Sequence, residues 1–343
     1  MSDKFPAKTD IAVLLLFFTR SDTFRQVFEA VRQARPSKLL LYQDGPRGER
    51  DIAGIEACRE IASDAHIDWE CEVHRNYLDH NEGCDPSGFR SHRWAFSLAD
   101  KVIVLEDDVV PSQSFFPFCK EMLDRYENDP RIWMIAGFNA EEKTEDATSD
   151  YFFTSVFSIW GWASWKRVID TWDEKYRWLD DEQTVKRFEA MVKKRQLRKD
   201  FLPMCRDHRD SGIAYYETIF WASMLLNDGL AIMPALNRVN NLGVSAESTH
   251  FTANLNTIPS RLRKMFTMPR YDIDFPLAHP PLVVENTAYK TRIYKINAWG
   301  YPLIKVRYSL EELWNNLRQG NFVLIGKAIS NRISKMTGRK KYR

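Results

Sequence analysis

The sequence predicts an α/β fold: a doubly wound, mostly parallel sheet followed by a helical C-terminal extension. Residues 11–18 and 102–105 are continuous apolar runs, which suit strands covered by helices on both faces. Segments with helical spacing alternate with these strands, as expected for a parallel sheet. The chain has 343 residues, of which 44% are hydrophobic, so it can bury a large core.

The N-terminal part is predicted to alternate strands and helices. Ile11–Phe18 is the first strand, and Asp22–Arg35 is an amphipathic helix. A strand at Lys38–Gln43, a helix at Ile52–Ala62 and a strand at Ile67–His74 follow. This βαβαβ order favours parallel pairing with right-handed crossovers.

The next segment continues the alternation after a polar loop predicted at Asn76–Gly88. We expect a helix at Phe89–Leu98, a buried strand at Lys101–Leu105, a helix at Gln113–Tyr126 and a strand at Ile132–Ala136. The fourth of the predicted strands, Lys101–Leu105, matters most because it runs directly into a group of acidic residues.

Charge and cysteine content exclude several classes of protein. The 49 basic and 47 acidic residues leave a net charge of +2, which gives no general case for nucleic-acid binding. The five cysteines contain no C-x-x-C pair, so neither a disulfide framework nor a zinc site is expected. The run at 11–18 is too short to cross a bilayer and lacks a cleavage site. A reducing, cytoplasmic location is therefore predicted.

The acidic triplet Glu106-Asp107-Asp108 follows the strand at 101–105. Ligands of open α/β sheets gather at the carboxyl ends of strands. Adjacent carboxylates repel one another unless a positive group neutralises them, and a divalent cation such as Mg²⁺ or Mn²⁺ prefers such oxygen ligands. The alternative is that the triplet only opens a surface loop or caps the next helix.

Five stretches, taken in order, resemble N-acetylglucosaminyltransferase I and related bacterial family 2-like sugar transferases of the GT-A fold. The resemblance extends over roughly residues 10–250, and the stretches that carry it are Phe18–Asp22, Tyr42–Gly45, Arg93–Phe96, Val104–Phe116 and Phe157–Trp162. It implies an inverting transfer of a sugar from a nucleoside diphosphate.

The resemblance also implies residue roles on the donor side. Asp108 would bind the metal that carries the donor diphosphate, Asp107 would lie near the ribose, and Glu106 would support the loop. Arg20 and Asp44 would contact the nucleotide base. Their chemistry agrees, because a carboxylate can accept the imide N–H of uracil and a guanidinium offers charge and a stacking plane. An Asp-Gly-Pro turn is the alternative for Asp44.

Further candidates lie later in the chain. Trp162 belongs to the glycine-tryptophan segment of the resemblance and is assigned to the binding site. The general base that deprotonates the acceptor hydroxyl is Glu217 or Asp173, with Glu217 preferred. His250 is a candidate additional metal ligand, because histidine can bind Mn²⁺.

The predicted function is metal-dependent transfer of a hexosyl or N-acetylhexosaminyl group from a nucleotide-sugar, expected to be a UDP-sugar, to a saccharide or lipid-linked acceptor. Such a reaction belongs in surface polysaccharide or glycolipid synthesis. Alternatives are a sugar-phosphate nucleotidyltransferase, and a non-catalytic glycan-binding or scaffolding protein. Nucleotidyltransferases prefer a glycine-rich loop after the first strand, and Phe17–Asp22 contains no glycine.

A catalytic domain at residues 8–255 and an extension at 256–343 are predicted. Apolar residues recur at helical spacing over Leu310–Ile333, and six basic residues follow closely: Arg332, Lys335, Arg339, Lys340, Lys341 and Arg343. This pattern suits an interfacial helix on an anionic membrane surface, so a peripheral inner-membrane location is expected. The alternative is that the apolar face packs on the catalytic domain.

Overall fold

The computed structural model describes residues 4–192, 194–244, 255–322 and 325–326. Within these residues the strands and helices are, in chain order, β1 (Thr9–Phe17), α1 (Ser21–Ala34), β2 (Pro36–Gln43), α2 (Glu49–Ile61), β3 (Glu72–Tyr77), α3 (Cys84–Leu98), β4 (Lys101–Glu106), β5 (Val109–Pro111), α4 (Phe115–Arg125), β6 (Ile132–Ala136), β7 (Tyr151–Thr154), β8 (Trp162–Trp165), α5 (Lys166–Ile169), α6 (Glu182–Met191), α7 (Arg195–Ser211), α8 (Tyr216–Leu226), β9 (Leu230–Pro234), β10 (Val239–Asn241), α9 (Ser260–Met265), α10 (Thr287–Ile296) and α11 (Pro302–Arg318).

Eight of the strands form one sheet in the order β3-β2-β1-β4-β8-β6-β9-β7. Strands β3, β2, β1 and β4 pair in parallel, as do β6 and β9, whereas β8 and β7 run antiparallel to their neighbours. The predicted fold class is confirmed as α/β: a mostly parallel sheet is followed by a C-terminal helical extension.

The continuous apolar runs become central strands, as expected from their pattern. Val13, Leu14 and Leu15 of β1 and Ile103 of β4 are fully or almost fully buried, because helices cover both faces of the sheet. These strands pair in parallel with Phe17 opposite Gln43 and Leu16 opposite Glu106, so the polar residues that follow them emerge together at one edge of the sheet.

Two local predictions were wrong. The strand predicted at Ile67–His74 starts only at Glu72, because Trp69 turns into the core and donates its indole N–H to the Pro36 carbonyl at 2.8 Å. The loop predicted through Gly88 ends at Cys84, where α3 begins. Pro86 lies in the first turn of that helix, where a missing N–H costs nothing.

A short antiparallel ribbon lies beside the main sheet. Strand β10 pairs with β5, so that Asn241 lies opposite Val109. The ribbon carries residues 242–243 past the end of β4, where the Leu242 N–H donates to the Asp108 carbonyl at 2.8 Å. A late segment of the chain is thereby held against the acidic triplet.

The C-terminal extension packs on the edge of the sheet. The Asn286 N–H donates to the Phe153 carbonyl at 2.8 Å, and the Ser155 N–H donates to Glu285 Oε1 at 2.8 Å. Arg292 forms ion pairs with Glu141 at 2.5 Å and with Asp146 at 2.8 Å. Residues 285–296 are thus joined to the sheet by hydrogen bonds and ion pairs.

Helix α11 has its amphipathic character reversed relative to an ordinary surface helix. Its polar residues face the protein: Asn315 donates to the Thr257 and Ile258 carbonyls, and Glu311 accepts from the Ser260 N–H at 2.7 Å. Its apolar residues face outward at helical spacing: Leu303, Val306, Leu310, Leu313, Trp314 and Leu317. The alternative interpretation, in which the apolar face packs on the catalytic domain, therefore does not hold for the described helix α11.

Within the described residues, the helix predicted over Leu310–Ile333 is interrupted after Arg318. Helix α11 ends at Arg318, and Gly320 follows with a φ of 71°, a conformation that favours glycine and ends helices. The basic residues of the predicted tail lie outside the described residues. Within the described residues, the structure contains no helix with the length and apolar character needed to span a bilayer.

Candidate active site

The candidate donor site is a cavity of about 180 Å³ at the carboxyl ends of β1, β2 and β4. This edge is where open α/β sheets bind their ligands. The polar side chains that line the cavity include Arg20, Asp44, Asn81, Glu106, Asp107 and Tyr216. The structure thus brings together four residues that the sequence placed on the donor side, Arg20, Asp44, Glu106 and Asp107.

Arg20 is the positive group that neutralises the acidic triplet. Its guanidinium forms an ion pair with Asp107, and its Nη1 lies 2.9 Å from Asp108 Oδ2. The other oxygen of Asp107 accepts the Phe18 N–H at 3.0 Å. The sequence suggested a nucleotide-base contact for Arg20, whereas in the structure this side chain holds the loop after β1 against the end of β4.

Burial raises the pKa of both Glu106 and Asp107. For Glu106, the charge of Asp108 adds to the effect of burial, and a hydrogen bond from Tyr216 opposes it. For Asp107, the charge of Arg20 opposes the effect of burial. The triplet is therefore a crowded, largely desolvated group of carboxylates, whose charged form is favoured by any additional positive charge.

Asp108 retains one unused oxygen. Its side chain is buried, and its Oδ1 has no hydrogen-bond partner in the described part of the chain. A buried carboxylate oxygen without a partner is unfavourable unless a ligand satisfies it, so it suits a hard cation. Across the described residues, no group of three or more His, Cys, Asp or Glu could hold a metal ion. Any cation here would need further oxygens from its ligand.

The loop after β10 fits closely around Asp108. A Cβ at Gly243 would lie 2.1 Å from Asp108 Oδ2, so only glycine permits this approach. The Gly243 N–H donates to Asn241 Oδ1 at 2.8 Å, which fixes the turn. His250, the predicted second metal ligand, lies outside the described residues, so its role stays a prediction.

Asp44 has its carboxylate fully engaged. It accepts four hydrogen bonds of 2.9–3.1 Å, three from the N–H groups of Gly45, Glu82 and Gly83 and one from the Asn81 side chain. A carboxylate offers about four acceptor positions, so none is left for a uracil imide in this conformation. Asp44 therefore shapes the cavity by holding the 81–83 loop, and the alternative turn role of Asp44 agrees with its geometry.

Tyr216 closes the donor cavity, and the sequence analysis did not single it out. Its hydroxyl donates to Glu106 Oε1 at 3.0 Å. A Cβ at Gly88 would lie 2.7 Å from its ring, so glycine in α3 makes room for the tyrosine. The sequence feature that could have identified Tyr216 is its position next to Glu217, since neighbouring residues at the start of a helix can serve one site.

Trp162 supports this tyrosine through the core. The ring of His92 stacks between Trp162 at 5.2 Å and Tyr216 at 4.9 Å. Burial lowers the pKa of His92 to about 4, so the stack contains a neutral ring at neutral pH. Trp162 itself is buried in β8. Among the described residues, it lines neither the donor cavity nor a second cavity, which Glu217 lines. The structure therefore places it behind the site.

The two candidate bases occupy different surroundings. Glu217 is exposed in the first turn of α8 and lines a second cavity, of about 360 Å³. Asp173 accepts hydrogen bonds from the Arg177 N–H at 2.6 Å and from the Arg177 Nε at 3.1 Å. It contributes to neither cavity among the described lining residues. The geometry thus gives Glu217 access to a ligand and gives Asp173 a local role in a turn.

Comparison with protein-family models and with curated proteins gives no match. Among solved structures, the chain is similar to the inositol-1-phosphate CTP transferase from T. maritima, with 8% identity, coverage of 76% of this chain and 96% of that chain, and a TM-score of 0.36.

Two further similar structures are the 4-diphosphocytidyl-2C-methyl-D-erythritol synthase from Anaerococcus prevotii DSM 20548 and a UDP-glucose pyrophosphorylase complexed with UDP-glucose. The first has 9% identity, covers 50% of this chain and 78% of its own, and has a TM-score of 0.30. The second has 7% identity, covers 47% and 78%, and has a TM-score of 0.27. Likeness at this level carries no argument about activity.

Arg20 provides a test of the arrangement. Arg20→Met should lower the free energy of unfolding by about 3 kcal/mol, because it leaves buried carboxylates without their counter-ion. Arg25→Met, an exposed change on α1, should stay within about 0.5 kcal/mol of the wild type. Urea denaturation measures both, and adding Asp107→Asn to Arg20→Met should recover part of the loss. An unchanged stability of Arg20→Met would show that the pair is dispensable.

Proposed function

We propose that the protein transfers a sugar from a nucleoside diphosphate to a hydroxyl acceptor with inversion, as a metal-dependent glycosyltransferase. The observation that carries the proposal is the position of α8 between two cavities. Tyr216 lines the donor cavity beside the acidic triplet, and the next residue, Glu217, lines the second cavity. A carboxylate is thus available to an acceptor hydroxyl close to the donor site.

On the donor side, Asp108 would hold the cation through Oδ1, and the donor diphosphate would supply further oxygen ligands. A bound Mn²⁺ or Mg²⁺ would stabilise the negative charge of the leaving diphosphate. Arg20 holds Asp107 and Asp108 in place, and Tyr216 orients Glu106. The nucleotide, expected to be UDP, would occupy the cavity lined by Phe18, Arg20 and Asn81.

On the acceptor side, Glu217 would act as the general base. It accepts the proton of the acceptor hydroxyl as the hydroxyl oxygen bonds to the anomeric carbon. The bond between that carbon and the diphosphate oxygen breaks, and the nucleoside diphosphate leaves with its electron pair. Attack from the face opposite the leaving group inverts the anomeric configuration.

The main alternative is a sugar-phosphate nucleotidyltransferase. In this chain the loop after β1 has no glycine, and its Arg20 is occupied by the two aspartates. A panel of nucleotide-sugars, and of sugar phosphates paired with nucleoside triphosphates, separates the possibilities. Release of UDP supports glycosyl transfer, release of pyrophosphate from a nucleoside triphosphate supports the alternative, and neither product supports a non-catalytic binding role.

The metal assignment predicts a specific loss in Asp108→Ala. Mn²⁺-dependent UDP binding should weaken by more than about tenfold, whereas the fold should persist because Arg20 keeps its pair with Asp107. Asp100→Ala is the matched control, since this exposed aspartate precedes the opposite end of the same strand. Titration calorimetry with and without Mn²⁺ provides the measurement. Unchanged affinity in a folded Asp108→Ala protein would exclude Asp108 as the metal ligand.

The base assignment predicts a different pattern. Glu217→Gln should lower turnover by about 10²–10⁴ with donor affinity unchanged, because the base acts on the acceptor. Asp173→Asn is the control and should retain turnover, since its carboxylate is engaged in a turn. Steady-state rates of UDP release with an active acceptor would measure both. The reverse result would identify Asp173 as the base.

The exposed apolar face of α11 supports a location for this reaction. Leu303 is 84% exposed and Trp314 is 59% exposed, on the side of the helix that faces away from the protein. The sequence beyond the described part of the extension is strongly basic from Arg332 to Arg343. We propose that this face enters the headgroup region of an anionic cytoplasmic membrane surface, since an apolar helix face beside basic residues suits such an interface.

Vesicle sedimentation tests the membrane proposal. The protein should bind vesicles containing phosphatidylserine and should bind pure phosphatidylcholine weakly, because each basic residue near an anionic surface adds about 1 kcal/mol. Deleting residues 331–343, or replacing Leu310 and Trp314 by Ser, should release it. Replacing the buried-face residue Asn315 by Ser is the control. Binding that ignores lipid charge and survives both changes would refute the proposal.

A further inference from the structure

The second cavity has a lining unlike that of the donor site. Its volume of about 360 Å³ is within the range of small-molecule sites. Most of its wall is apolar, and includes Phe138, Phe157, Trp160, Trp221, Trp299 and Met233. Among the described lining residues, Glu217 is the one with a formal charge. The cavity therefore combines one carboxylate with a large aromatic surface.

This composition restricts what can bind. No lysine or arginine is present among the described lining residues, so the cavity offers no cation to a phosphate, sulfate or carboxylate. The acceptor cannot place an acidic group here without facing Glu217. Ser158, Thr218, Tyr289 and Asn297 supply the other polar side chains of the lining. Apart from a reactive hydroxyl beside Glu217, most of the matching ligand surface is therefore apolar.

The aromatic wall is assembled from distant parts of the chain. Trp221 of α8 and Trp299 after α10 have ring centroids 5.0 Å apart, and Trp160 lies 4.6 Å from Phe138. Met204, Met233 and Met265 come from three other segments and add flexible side chains that can adapt to a ligand. The rings are packed against one another, so the wall is set before any ligand binds.

We infer that this cavity takes the apolar group of an amphipathic acceptor, an aryl or alkyl aglycone whose sugar hydroxyl lies at Glu217. The inference rests on the proposed function, in which Glu217 is the base. The aglycone would lie along Trp160, Trp221 and Trp299, and the hydroxyl would point to the first turn of α8. A ring-shaped aglycone and a chain-shaped one share this chemistry.

Binding can be measured directly through tryptophan emission, without turnover. We would titrate the full chain, in the presence of UDP and Mn²⁺, with methyl, phenyl and hexyl β-glycosides of one sugar. The phenyl or the hexyl compound should bind at least about tenfold more tightly than the methyl compound, because burying two methylene groups is worth about that much. The arm that binds best distinguishes a ring from a chain.

Three variants locate the binding. Ser158→Phe should fill the cavity and remove the preference for the apolar aglycone, whereas Ser158→Ala removes only the hydroxyl and should keep it. Trp160→Ala, which widens the cavity, should weaken phenyl glycoside binding by about tenfold or more. Circular dichroism melting of each variant checks that the fold is retained.

The outcomes separate this inference from the function on which it rests. Equal binding of the three glycosides, or a preference that persists in a folded Ser158→Phe protein, would overturn the inference. If the protein does not bind UDP but still prefers the apolar glycosides, the proposed transfer is refuted and the cavity assignment is retained. UDP binding with no glycoside preference would support the donor site alone.

Discussion

The structure depends on how one edge of the sheet accommodates three adjacent carboxylates. Glu106, Asp107 and Asp108 leave a buried strand together, and their mutual repulsion grows as water is removed. Arg20, which follows the neighbouring strand β1, forms ion pairs with Asp107 and Asp108. Tyr216 donates a hydrogen bond to Glu106. The loops after β1 and the start of α8 are therefore held by the same charges that define the site.

The placement of α8 follows from this constraint. Because the Tyr216 hydroxyl is held by Glu106, the first turn of the helix is fixed at the mouth of the donor cavity. The His92 ring behind it is neutral and packed against Trp162, so the tyrosine has little room to move. The next residue, Glu217, then lines the second cavity, and its charge still acts on Glu106. One hydrogen bond thus sets the relation between the two cavities.

Much of the framework could be predicted from the sequence, because it depends on local pattern. Buried strands are continuous apolar runs, and the carboxyl end of such a run marks the ligand edge, so the position of the triplet at that edge of the sheet could be predicted. The partners of its charges could not be found in this way. Arg20 and Asp108 are distant in sequence, and nothing local shows that the arginine bonds the aspartates. The same limit applies to Asp44, whose carboxylate oxygens accept hydrogen bonds from a loop 37–39 residues later in the chain.

The extension contributes more to the second cavity than its sequence suggested. Tyr289 and Ile293 of α10, with Trp299, form one side of that cavity, and Arg292 ties α10 to the core through Glu141. The sheet and the triplet are built from residues 9–241, whereas the aromatic side of the cavity needs the extension. Under the proposed function, the sheet carries donor binding and the extension helps to select the acceptor. The outward apolar face of α11 belongs to the same segment, so acceptor choice and surface attachment would be determined together.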